Sequence, residues 1–194
     1  MIAFVRGHFA IKTPAHVIVD VNGVGYDLQI SLNTYSAIAD KENGQLFAYL
    51  NITENAQTLY GFAELSEKEL FLQLISVSGI GAATARMMLS GMRPEEISRA
   101  IIHGNIKLLS GIKGIGKKTA ERLVVELRDK LGKQSLNAPS VLTQVEDKNE
   151  SDAVNALIAL GINRAAAENT VKKIILSNPL FTLEDIVKTS LKNL

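Results

Sequence analysis

Residues 111–118 read GIKGIGKK, a run whose glycines and lysines are spaced as a loop that holds phosphate oxygens would space them. Gly111, Gly116 and Lys117 meet the G-x-x-x-x-G-K pattern of a nucleotide-binding P-loop, but the next position, where a hydroxyl should hold magnesium, is Lys118. The preceding NIKLLS reads as a short helix where a P-loop needs a strand, and no apolar run ending in Asp follows. The pattern therefore argues against a nucleotide and for a phosphate carried by something else.

A repeat explains the loop. Offset by 35 residues, Gly79-Ile80-Gly81 falls on Gly114-Ile115-Gly116, Thr84-Ala85 on Thr119-Ala120, Leu74 on Leu109 and Val77 on Ile112. Each copy predicts a helix, a Gly-x-Gly turn and a second helix. Glycines let the chain turn tightly and let a ligand oxygen approach first-turn amides, which lack partners and sit at the positive end of the helix dipole. One phosphodiester per hairpin carries no base information, so the predicted ligand is a nucleic-acid backbone. Lys117 and Lys118 add charge and counterion release at the second turn. The first turn has Ala82 and Ala83 there, leaving it to backbone amides, with Arg86 one turn later as a helper. Close packing of helices is the alternative use of such glycines, and it loses weight because the turn occurs twice.

Composition narrows the class. The chain has 194 residues, 46% of them hydrophobic, and a net charge of +1. Residues 64–132 carry eleven Lys/Arg against eight Asp/Glu, whereas residues 1–63 carry three against five. The basic excess is central and too small to predict nucleic-acid binding alone. With no cysteine there is neither a disulfide framework nor a thiolate metal site, and a reducing compartment is expected. The N-terminal residues lack a signal-peptide pattern, and no run of eighteen apolar residues occurs, so neither secretion nor membrane spanning is expected. His8, His16 and His103 are scattered, and no H-E-x-x-H or paired-carboxylate spacing appears. A metal-dependent nuclease site of acidic residues assembled in space stays open at this point. So does a single-strand binder stacking bases on Tyr26, Tyr35, Phe47, Tyr49 and Tyr60, although their alternation favours packing.

The elements that must position these residues fall in three groups. Residues 1–63 read as strands: Val17, Val19 and Val21 alternate up to Asn22-Gly23, Tyr26, Leu28 and Ile30 alternate on the return, and QLFAYLNI with QTLYGFA forms a second hairpin tipped by Glu54 and Asn55. Five or so short strands predict a small barrel of the oligonucleotide-binding (OB) type. Residues 64–132 turn helical, with a capping box at Ser66 and Glu69, a stripe through Leu70, Phe71, Leu74, Ile75 and Val77, Pro94 opening another helix, and a stripe through Ala120, Leu123, Val124, Leu127 and Leu131. Residues 133–149 lose periodicity and read as a flexible linker. Residues 150–194 predict a three-helix bundle, broken at Gly161 and capped at Thr182 with Asp185. The fold class is thus α+β multidomain.

SGIG, KGIGKKTAERL, VNGVGYDLQIS, AQTLYGF and ALIALGI, in this order and spacing, resemble the RuvA family of Holliday-junction-binding proteins over nearly the whole chain. The resemblance implies an OB barrel, a tandem helix-hairpin-helix domain and a tethered, UBA-like C-terminal bundle. It implies a non-catalytic subunit without a cofactor, catalytic residue or metal, which binds four-way DNA junctions without sequence preference. Such a subunit brings the ATP-burning RuvB AAA+ motor to the junction for branch migration in recombination and DNA repair. Also implied are a homotetramer, with an octamer on DNA as a further state, the RuvC resolvase as a partner, and the bacterial cytoplasm and SOS response as the setting. By this resemblance Gly79, Ile80, Gly81 and Ala83, with Gly114, Ile115, Gly116, Lys117, Lys118 and Thr119, bind DNA phosphates. Glu54-Asn55 stands where the family has an acidic pin of two adjacent carboxylates, so one carboxylate is missing. Leu157, Leu160 and Ile162 match the motor-docking positions, with packing inside the bundle as their alternative role.

Overall fold

The computed structural model describes residues 1–136, 146–178 and 181–193. Two compact units divide the chain, Met1–Leu136 and Asn137–Leu194.

In the first unit, strands β1 (Phe4–Lys12), β2 (His16–Val21), β3 (Val24–Ile30), β4 (Asn43–Ile52) and β5 (Gln57–Phe62) close a barrel in the order β1-β2-β3-β5-β4. All pairs are antiparallel except β3 with β5. Period-two alternation sends Val17, Val19, Leu28 and Ile30 into the core. Asn22 and Gly23, with φ of 53° and 89°, form the left-handed pair whose twist suits a two-residue hairpin. A helix, α1 (Leu32–Ile38), interrupts the strands. It was not among the expected elements. Its buried positions are Thr34 and Ile38, so no apolar stripe announces it, and its start is marked only by Ser31, whose Oγ accepts the Thr34 amide at 3.0 Å.

Five helices follow: α2 (Leu65–Ile75), α3 (Ala82–Gly91), α4 (Pro94–Ile102), α5 (Ile106–Ser110) and α6 (Lys117–Leu136). The expected capping box at Ser66 and Glu69 is absent. Glu64 is the N-cap and makes no side-chain cap bond, because the chain leaves β5 at Phe62 and enters the helix almost at once. Pro94 takes the first helical position of α4. Leu70, Phe71, Leu74, Leu123 and Leu127 form one core continuous with Tyr60 and Phe62 of the barrel. The Phe71 ring packs on Tyr49, Tyr60 and Phe62, with centroids 5.6, 5.2 and 4.9 Å away. Barrel and hairpins therefore share a core.

In the second unit, α7 (Glu146–Ala159), α8 (Arg164–Ser177) and α9 (Leu183–Lys192) pack around Ala153, Leu157, Val171 and Ile186. Gly161, at φ 91°, ends α7. Its amide donates to Ile158 O at 2.9 Å and that of Ile162 to Leu157 O at 3.0 Å, the paired bonds of a Schellman motif. Thr182 and Asp185 cap α9 reciprocally, and those bonds hold the exposed Asp185 carboxyl below its usual range. Helices α6 and α7 extend into the expected linker from both ends, and residues 137–145 lie outside the described residues.

Candidate nucleic-acid interface

The 35-residue repeat extends to individual hydrogen bonds. In the first hairpin the Val77 amide donates to Leu74 O at 3.2 Å, that of Ile80 to Val77 O at 3.1 Å and that of Ala85 to Gly81 O at 2.9 Å. In the second, Ile112 donates to Leu109 O at 3.2 Å, Ile115 to Ile112 O at 3.0 Å and Ala120 to Gly116 O at 2.9 Å. Gly79 and Gly114 hold φ of 93° and 91°, which only glycine adopts readily. Two identical turns result.

The predicted residues divide by job. Ile80 and Ile115 are buried and their amides are occupied within the turns, so they anchor the hairpins rather than meet a ligand. Gly81 and Gly116 are exposed, and a Cβ on either would meet nothing within 4 Å. Packing inside this chain therefore does not account for glycine at these two positions, whereas close approach of a ligand would. Behind each glycine stand the first-turn amides of a helix: Ala82, Ala83 and Thr84 on α3, and Lys117, Lys118 and Thr119 on α6. Gly81 caps α3 with no side chain, which leaves the dipole end open. Lys117 and Lys118 are exposed, and Lys117 touches Glu121 only at 4.0 Å. The arrangement suits two oxyanions, each met by backbone amides and the second also by two ammonium groups.

Arg86 does not help the first turn. Its Nη1 donates to Ala15 O at 2.8 Å, Gln29 Oε1 at 3.2 Å and Ile30 O at 3.4 Å, so the side chain ties α3 to the barrel. Arg122 does reach that turn: its Nη1 donates to Ser78 O at 2.9 Å. Asn33 Nδ2 donates to Leu89 O at 2.6 Å and to Met92 O at 3.0 Å, and Ser31 and Thr34 both donate to Glu67, which joins α1 to the helical region. No local sequence pattern marks these links. Glu67 had a signal, a carboxylate three and four residues before Leu70 and Phe71 on the buried stripe.

Glu54 and Asn55 sit exposed at the β4–β5 tip, closed by the Thr53 amide donating to Ala56 O at 2.9 Å. The proposed base-stacking aromatics are engaged elsewhere: Tyr60 is buried, Phe47 and Tyr49 pack on the hairpin core, and Tyr26 and Tyr35 on the barrel core. Leu157 is wholly buried and cannot dock a partner, Ile162 is half-buried against the bundle core, and Leu160 is 61% exposed. Among the described residues no three His, Asp or Glu side chains converge as a metal site requires, and no helix is long and apolar enough to cross a membrane.

Comparison with known proteins agrees with this architecture. Residues 1–61 match the RuvA N-terminal domain, residues 71–129 the SAM-like helix-hairpin-helix tandem, and residues 148–194 the RuvA C-terminal domain. Proteins described as Holliday junction branch migration complex subunit RuvA are similar along their whole length. That of Christiangramia forsetii is 43% identical over 194 residues, all of both chains. That of Cytophaga hutchinsonii is 44% identical over 197 residues, 99% of each, and that of Flavobacterium psychrophilum 45% over 194 residues, all of both. With its barrel, duplicated hairpins and C-terminal bundle matched in order from end to end, the chain belongs to the RuvA family.

Proposed function

We propose that the protein is a non-catalytic subunit that binds four-way DNA junctions through their phosphates, without sequence preference, and brings a RuvB-type motor to them for branch migration. The observation that carries this is the duplicated hairpin, with identical bonds and an open glycine before each helix. Each chain grips one arm at two phosphates, and four chains in a homotetramer match a four-armed ligand. A second tetramer closes over the junction as an octamer. The C-terminal unit docks the motor, with Leu160 as its apolar contact. A RuvC-type resolvase shares the complex. The protein works in recombination and repair in the bacterial cytoplasm, within the SOS response.

At the crossover Glu54 repels phosphates while Asn55 does not, so charge repulsion there is half that of a two-carboxylate pin. The test is branch migration of a synthetic four-way junction by a RuvB-type motor with ATP, with and without this protein. Migration that depends on the protein is expected. Equal migration without it, or cleavage of the junction by the protein with magnesium, would overturn the reading.

A further inference from the structure

Arg86 and Arg122 flank the hairpins, yet both donate to main-chain carbonyls, and both depart from the repeat. Offset by 35 residues, Arg86 falls on Glu121, and Arg122 falls on Met87. Neither is part of the duplicated phosphate position. Each links two bodies instead: Arg86 joins the first hairpin to the barrel, and Arg122, from the helix that follows the turn of the second hairpin, donates at 2.9 Å to Ser78 O in the first. Ser78 directly precedes Gly79, the left-handed residue that shapes the turn. Val77 and Ile80 bury the base of that turn, while Ser78 and Gly79 are exposed at its tip. The guanidinium of the second copy therefore holds the tip of the first with a charge-assisted hydrogen bond.

We propose that Arg122 is a positioning residue that fixes the spacing between the two phosphate positions, so that one DNA arm engages both at once. The inference rests on the reading of the hairpins as phosphate sites. Two-point binding gains over one-point binding only when geometry lets both points engage together. A turn tip free to shift loses that gain without losing either contact. A direct phosphate contact by Arg122 makes a different prediction, because each neutralised phosphate contributes to the salt dependence of binding.

The test is a titration of labelled four-way junction with the full-length protein over a range of salt, using Arg122→Met, the residue found at the matching position of the first copy. Arg122 is exposed, so the variant keeps its fold, checked by melting. Gly81→Val, whose side chain enters open space before α3, supplies a background with the first phosphate position blocked. The expected result is an affinity loss of about fivefold for Arg122→Met, with an unchanged salt slope, and no further loss when Arg122→Met is added to Gly81→Val. A slope reduced by about one, a loss that persists in the Gly81→Val background, or no loss at all would overturn the inference. Lys117→Ala/Lys118→Ala tests the underlying reading separately: unchanged affinity there removes the phosphate sites, and the inference with them.

Discussion

The buried carboxylate of Glu67, on the first helix of the hairpin region, accepts a hydrogen bond from Thr34 Oγ1 at 2.6 Å, on the helix that interrupts the barrel. Ser31 Oγ donates to the same carboxylate, and Thr34 Oγ1 in turn accepts the Ala63 amide at 3.0 Å. The network joins barrel to hairpins through one acid. Burial raises the Glu67 pKa; the two hydroxyls pull it down, and nearby Glu64 and Glu95 push it up further.

That shift sets a pH dependence. The native state keeps the Glu67 proton to higher pH than the unfolded chain does, so this group's contribution to stability is present at low pH and is lost as pH rises through its folded pKa. In Glu67→Gln this component disappears, so the melting temperature of the variant, taken relative to wild type, rises as pH rises through that range. Glu67→Ala leaves two buried hydroxyls without their acceptor and costs about 2 kcal/mol at neutral pH. Thermal melting from pH 4 upward on the full chain measures both, and parallel wild-type and Gln profiles would contradict the assignment.

The glycines separate stability from binding. Gly79→Ala and Gly114→Ala force a side chain into φ near 90° and lower stability by about 1–2 kcal/mol each. Gly81→Ala meets no steric conflict and has ordinary φ of −85°, so stability stays within about 0.5 kcal/mol while junction affinity falls. Denaturant unfolding and junction titration of the same variants read the two effects independently.

In the C-terminal bundle, Leu157→Ala opens a cavity and destabilises that unit by about 3 kcal/mol, whereas Leu160→Asp leaves the melting curve nearly unchanged and weakens motor capture. Circular dichroism paired with pull-down of a RuvB-type motor distinguishes them. Loss of capture only in Leu157→Ala would remove Leu160 from the docking surface.

At the β4–β5 tip, Asn55→Asp adds a second exposed carboxylate beside Glu54. Junction affinity falls by a few-fold at low salt, strand separation at the crossover speeds up, and the difference shrinks as salt screens the charges. Identical affinity and migration rate in the two forms would sink the idea that Asn55 softens the repulsion.

What could be read from sequence, and what could not, follows from range. The β2–β3 hairpin was legible because Val17, Val19, Leu28 and Ile30 alternate around Asn22-Gly23, and the two helix-hairpin-helix turns because Gly-x-Gly chemistry is local and occurs twice. Helix α1 was hidden because half of its buried face is Thr34. The jobs of Arg86 and Arg122 were hidden for another reason. Their acceptors include main-chain carbonyls 71 and 44 residues away, and a carbonyl has no letter of its own in the sequence. Leu157 and Leu160 lie one turn apart, yet the buried face of α7 runs through Ala153, Val154 and Leu157 and leaves Leu160 outside it, a distinction between two leucines that the letters alone do not make.

The most direct test is a titration of equal-length four-way junction and linear duplex at one fixed salt concentration, comparing wild type with Lys117→Ala/Lys118→Ala. Tight, junction-preferring binding is expected, weakened by about tenfold or more in the double variant, with a salt slope lower by about two. Equal binding of junction and duplex, or a double variant that binds like wild type, would contradict it.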